Sequence, residues 1–195
     1  MSILYSMENE KELRILDAAK KVFVRYGFRR VTMQDVADEA GISRPALYLV
    51  FPNKEEIFKA AARQMASESL SIIRQGIERL TTSEEKLNFA FEVWSIRPFE
   101  MMLASPDARE LIECGLGFAK ETIDLTYRDF GQLLEDILQP IVEQRGNKYF
   151  NKKEIAKIMS AAIHGFKGVA SSIEELRAMI AGLVRLTLAA LQAPA

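Results

Sequence analysis

The chain has 195 residues, 49% of them apolar and 27% charged, with a formal net charge of −1. This composition suits an ordinary globular protein of one domain, or of a small domain joined to a larger one, and excludes a disordered chain. No apolar run reaches the ~18–20 residues of a membrane span. The start MSILYSMENEKE has neither the basic opening nor the apolar core of a signal peptide, so a cytoplasmic protein without a membrane partner is expected. One cysteine, Cys114, cannot form an internal disulfide, and one histidine leaves no His/Cys cluster, so neither metal nor cofactor is expected.

Almost every segment reads as helix. The first is predicted from about residue 9 to 26, with Ile15, Ala19, Val22, Phe23 and Tyr26 on one face and Gly27 closing it. Thr32 opens a second through a capping-box-like Thr-Met-Gln-Asp. Met33, Val36, Ala37 and Ala40 follow at helical spacing, and Gly41 ends it. Ser43 caps a third helix with Pro45 in its first turn, and Asn53 with Glu56 starts a long one running to about Leu80. Further helices are expected from near Ser83 to a stop or kink before Pro98, a short one reopened by Pro106, and roughly 117–144 with Pro140 bending its end. After the polar loop EQRGNKYFNKK come two more, about 152–170 and 173–191.

On a helical wheel, residues 43–51 place Leu47 and Phe51 together toward the core, joined by Ile42 from the turn. Pro45, Tyr48 and Leu49 fall on the opposite side, with Arg44 and Ala46 at its margins. That exposed face offers a guanidinium fork, a phenol and small apolar surfaces, a set suited to the major groove. Arginine can bond guanine N7 and O6, apolar groups can touch a thymine methyl, and the tyrosine can donate to a phosphate. Helix, glycine turn and second helix make a helix-turn-helix. The same spacing also fits a packed helical hairpin that never touches DNA.

The stretch ILDAAKKVFVRYGFRRVTMQDVADEAGISRPALYLVFPNKEEIF resembles the N-terminal domain of tetracycline-repressor (TetR) type regulators, over about residues 9–69. The resemblance implies an all-α homodimer that binds a palindromic double-stranded operator, most often as a repressor, and is released by a small molecule. By position, it implies a helix-turn-helix over residues 32–51, with Thr32, Gln34, Ser43, Arg44, Pro45, Ala46, Tyr48 and Leu49 meeting DNA and Lys54 reaching a phosphate. Val50 stands where many members carry a histidine, which removes one usual phosphate contact. A bacterial protein, cytoplasmic and on the nucleoid when bound, is implied.

Beyond residue 70 the resemblance fades, and residues 70–195 read as a helical effector-binding and dimerisation domain. The segment NFAFEVWSIRPFEMMLAS carries more bulky apolar side chains than one buried face needs. Phe91, Trp94, Phe99 and Met102, with Cys114, Phe118, Tyr127 and Phe130 from later in the chain and His164, either line a pocket for an apolar or aromatic effector or simply form core. Cys114 fits inert packing or a redox sensor. His164 fits a hydrogen-bonded interface or pocket residue, or a proton switch. Ala161, Gly165, Gly168 and Ser172 form a stripe of small residues beside Ile158, Ala162, Phe166 and Val169. With Ile180, Leu183, Val184, Thr187 and Leu191 on the last helix, they suit a four-helix dimer interface or internal packing. The dimer reading rests on Ala161, Gly165, Phe166, Gly168, Leu183 and Val184.

Two other classes stay open: a helical small-molecule-binding or interaction protein without DNA recognition, and a small all-α enzyme. Against the enzyme stand the lack of a phosphate loop, a nucleophile elbow or metal-ligand spacing.

Overall fold

A computed structural model describes residues 2–103, 110–111, 114–115, 117–145 and 151–192, apart from the side chains of residues 2–8, 102, 144, 145 and 192. Every regular element among the described residues is a helix: α1 (Ser2–Tyr26), α2 (Met33–Glu39), α3 (Arg44–Tyr48), α4 (Lys54–Ile77), α5 (Ser83–Phe91), a π-helical turn (Glu92–Ile96), α6 (Arg97–Leu103), α7 (Lys120–Arg145), α8 (Lys152–Val169) and α9 (Ile173–Gln192). The expected all-α class is what is found. The short helix expected after Pro106 lies outside the described residues.

Two compact units result, residues 1–65 with 102–124, and residues 66–101 with 125–195. The first is discontinuous in sequence, whereas the sequence reading drew consecutive domains. Its cohesion across the gap is visible in side chains. Phe118 lies 5.0 Å from Phe28 and 5.5 Å from Phe58, ring centre to ring centre. Cys114 is buried in the same core as Ile15, Val22, Phe23, Val36, Leu47 and Ile57. Fully burying side chains of this size contributes roughly 1.5–3 kcal/mol each.

Local sequence explains the boundaries in this unit. Gly27, at φ 77°, and Gly41, at φ 64°, occupy the left-handed region that other residues avoid, and each ends a helix. Thr32 and Asp35 form the expected capping box: the Thr32 hydroxyl accepts from the Asp35 N–H, and the Asp35 carboxylate accepts from the Thr32 N–H. The Thr32 hydroxyl and backbone N–H hold the Asp35 carboxyl below its usual range. Helix α1 begins well before residue 9, and Tyr26, expected on its buried face, is exposed.

In the second unit, Phe91, Phe130, Leu133, Leu134, Leu138, Ile163, Leu176, Ile180 and Val184 make the core. Thr82 and Glu85 cap α5 with a second capping box. Before Pro98, where a stop or kink is expected, the chain makes the π-helical turn and continues into α6. Proline has no N–H to give to the carbonyl four residues back, so a local widening of the helix here is physically apt. Glu92, in the π-helical turn, takes a two-pronged contact from Arg177 of α9.

Candidate nucleic-acid interface

Helix α3 spans only five residues, Arg44–Tyr48, with Leu49 and Val50 in the turn that follows. Ser43 caps it, its hydroxyl accepting from the Ala46 N–H at 3.3 Å. Leu47, fully buried, and Phe51 pin it to the core, while Ile42 and Val50 pack partly against them. A fourth restraint was not legible in the sequence: the Lys11 ammonium of α1 donates to the Ala46 carbonyl at 3.1 Å. These contacts leave one face outward. Arg44, Pro45, Tyr48 and Leu49 are exposed, Leu49 to 86%, and Ala46 is half-buried.

The exposed face is organised before any partner arrives. The Arg44 guanidinium carbon lies 5.5 Å from the centre of the Tyr48 ring, and the guanidinium donates to the Tyr48 hydroxyl at 3.4 Å. On α2, Gln34 donates to Asp38 at 2.7 Å, while Thr32 and Gln34 are both exposed. Eight of the nine residues expected to meet DNA thus lie on or beside the two helices of one helix-turn-helix.

The ninth is engaged elsewhere. Lys54 donates to three backbone carbonyls, Phe28 at 2.9 Å, Arg29 at 3.2 Å and Val31 at 3.0 Å, and its ammonium sits 4.5 Å from the Phe28 ring centre. The loop leaving Gly27 turns these carbonyls away from any helix, and the first residue of α4 satisfies them. An ammonium with all three N–H groups so used is a clasp within the chain, in place of the free phosphate-seeking charge that was expected.

The residues expected to line an effector pocket are divided between the units. Cys114 and Phe118 belong to the first, where with Phe28, Arg29 and Glu110 they line a hollow of about 250 Å³. Phe91, Trp94, Phe99 and His164 belong to the second. The side chain of Met102 lies outside the described residues. Within the second unit Trp94 stacks on Phe130 at 4.5 Å, Phe91 meets Phe130 edge-on at 5.6 Å, and Tyr127 sits edge-on to both Trp94 at 5.7 Å and His164 at 4.9 Å. Phe91, Trp94 and Phe99 are buried, and His164 is exposed.

Of the residues expected at a dimer interface, Ala161, Gly165 and Gly168 are exposed and Phe166 and Leu183 half-buried. Val184 is not at a surface. It is fully buried in its own unit, as is Ile180, because that side of α9 faces the core. The open side of α9 is instead the one carrying Gly182, Leu183 and Leu186, and Leu186 is 73% exposed. On α8, Ile158 and Val169 are 64% and 69% exposed. Among the described residues, a Cβ added at Gly165, Gly168 or Gly182 would meet nothing within 4 Å. Internal packing therefore does not account for these glycines.

Among the described residues no group of His, Cys, Asp and Glu could hold a metal ion, and no helix is long and apolar enough to cross a membrane.

Residues 15–61 match the family model described as bacterial regulatory proteins, tetR family. Over 86 residues the chain is 33% identical to the HTH-type transcriptional activator FasR of Mycolicibacterium smegmatis, a stretch covering 44% of this chain and 39% of that protein. The chain thus spans about two fifths or less of the curated relatives it matches. A transcriptional regulator from Cytophaga hutchinsonii superposes with a TM-score of 0.73 at 21% identity, covering 92% of this chain and 97% of the other. FadR of Bacillus subtilis, solved in complex with stearoyl-CoA, superposes with a TM-score of 0.66 at 17% identity over 89% and 96% of the two chains. These two likenesses show the fold alone.

Proposed function

We propose, for a chain that belongs through its N-terminal domain to the tetR family of bacterial regulatory proteins, that it is a DNA-binding transcriptional regulator whose hold on a palindromic operator responds to a small molecule. The observation that carries this reading is the α3 surface. Leu47 and Phe51 hold the helix from below, Lys11 ties it from the side, and Arg44, Tyr48 and Leu49 are left facing outward. An arginine fork and an exposed leucine on a short rigid helix match a base edge and a thymine methyl. Thr32, Gln34, Ser43, Pro45 and Ala46 complete the contact surface, and Lys54 supports it from within.

The operator is read by two copies. The uncovered face of α8 and α9, with its small residues Ala161, Gly165 and Gly168 between Phe166, Leu183, Ile158, Val169 and Leu186, supports a symmetric four-helix interface. The effector occupies the aromatic region of the second unit around Trp94. The protein works in the cytoplasm, on the nucleoid when bound. We read it as a repressor, since a ligand that favours a dimer whose recognition helices no longer match successive grooves releases DNA.

The test is a selection of random duplexes by the purified protein, followed by titration of the enriched sequence. An enriched inverted repeat, with half-sites about one helical turn or a multiple apart, supports the reading. Enrichment of nothing would leave a helical small-molecule-binding protein without DNA recognition.

A further inference from the structure

The second unit buries a cation that no carboxylate among the described residues balances. Lys167 lies on α8, and burial pushes its ammonium down to about 8 with no neighbouring charge contributing. The residue keeps some exposed surface, yet enough protein surrounds the ammonium to disfavour its charge. Its hydrogen bond goes to the Tyr127 hydroxyl at 3.2 Å, and its ammonium lies 5.7 Å from that ring centre. A neutral phenol is a poor counterpart for a desolvated charge, and leaving a buried cation so poorly matched is costly.

The geometry leaves donor capacity at one point. The ammonium has three N–H groups, of which one is used; the phenol accepts that one and keeps its own proton to give. Two donors 3.2 Å apart match the two oxygens of a carboxylate. Around them the surroundings are aromatic: Trp94 and His164 stand edge-on to Tyr127, and Phe130 stacks on Trp94. Trp94 lies in the π-helical turn, a distortion that recurs at functional sites. The next residue, Ser95, is fully buried and its hydroxyl has no partner. One cation flanked by neutral donors balances a single negative charge, whereas a phosphate dianion would leave a second charge uncompensated.

We propose that Lys167 and Tyr127 form the anion-receiving end of the effector site, and that the effector is an apolar or aromatic monocarboxylic acid whose body lies against Trp94. This rests on the reading of the chain as a ligand-responsive regulator, and it adds a required charge to the purely apolar ligand that the sequence suggests.

Trp94 is the single tryptophan of the chain, so its emission reports this site directly. The full-length protein is titrated with decanoate, phenylacetate and naphthoate, and in parallel with the primary amide of each. Emission and melting temperature are read, with operator affinity and oligomeric state measured on the same samples. At least one acid should shift the emission, raise the melting temperature and bind about tenfold or more tightly than its amide. Lys167→Met should erase that preference, and Lys167→Arg should keep most of it. Equal binding of acid and amide, no response to any of the acids, or a preference surviving Lys167→Met would overturn the site. A Lys167→Met protein that turns monomeric while still preferring the acid would assign the ammonium to a contact between copies. Loss of the acid response with DNA binding intact counts against this site alone. Absence of DNA binding from every sample counts against the regulator reading and leaves the acid-to-amide comparison valid.

Discussion

Arg44 and Lys54 are cations ten positions apart whose surroundings make them different tools. Arg44 is exposed beside Tyr48, and its planar fork is free to turn to a base edge. Arg44→Ala should cost about 1–3 kcal/mol of operator affinity and flatten discrimination at one base position per half-site, measured with single-base operator variants. Lys54 already serves three carbonyls. Lys54→Met should therefore lower folding stability by about 2 kcal/mol in urea titrations, since part-buried acceptors lose charge-assisted bonds. Its operator binding should keep the wild-type salt slope, whereas loss of a phosphate contact would reduce that slope by about one unit. Lys167 carries a pH signature. The unfolded chain holds this proton to an ordinary value near 10.5, but the folded chain releases it near 8. Between about pH 8 and 10 the unfolded state binds more protons, so stability should rise with pH. Above that the trend should reverse, because burial raises Tyr127 to about 12 and the folded state then binds the extra proton. Urea midpoints across this range should show the rise in the wild type and lose it in Lys167→Met.

Helix α4 meets α5 where Gly76 faces Phe89. A Cβ at Gly76 would come within 2.1 Å of the Phe89 ring, far inside contact distance. Gly76→Ala gains helix propensity but forces the ring aside, and overpacking of this kind costs about 1–3 kcal/mol. The variant should melt lower than wild type, and adding Phe89→Ala should recover most of that particular loss. If Gly76→Ala is as stable as the parent, the ring moves freely and the close approach has no structural weight. Helix α3 illustrates the same dependence of an element on its neighbours. Five residues are too few to hold a helix in water, so α3 exists because Leu47, Phe51 and the Lys11 contact restrain it.

At the scale of the molecule, the proposed dimer rests on the uncovered face of α8 and α9. Among the described residues, nothing lies within 4 Å of a Cβ added at Gly165 or Gly168, so a leucine at either should be accommodated by the isolated protomer. Gly165→Leu and Gly168→Leu should leave the helical circular dichroism unchanged and shift the protein from dimer to monomer in analytical ultracentrifugation. Variants that remain dimers of wild-type stability would place the interface elsewhere.

Local pattern alone specified the all-α class, the capping box of α2, the glycine-terminated helices and the outward face of α3. Each of these depends on residues within a few positions of one another: Thr32 with Asp35, Ser43 with Ala46, Leu47 against Leu49. A contact over such a span follows from helix geometry once the helix is granted. Features made by distant residues were settled only by tertiary packing. Val184 reads as well for an interface as Leu186 does, and only the seating of α9 on its neighbours buries the first and exposes the second. Cys114 and Phe118 follow Trp94 by a few turns of chain, yet they pack on Phe28 and Phe58. Lys54 reaches back to carbonyls that precede it by more than twenty residues, and Lys167 meets a tyrosine forty positions earlier. An ammonium has no sequence periodicity that reveals its acceptor; its partner is whichever oxygen the folded chain brings within about 3 Å.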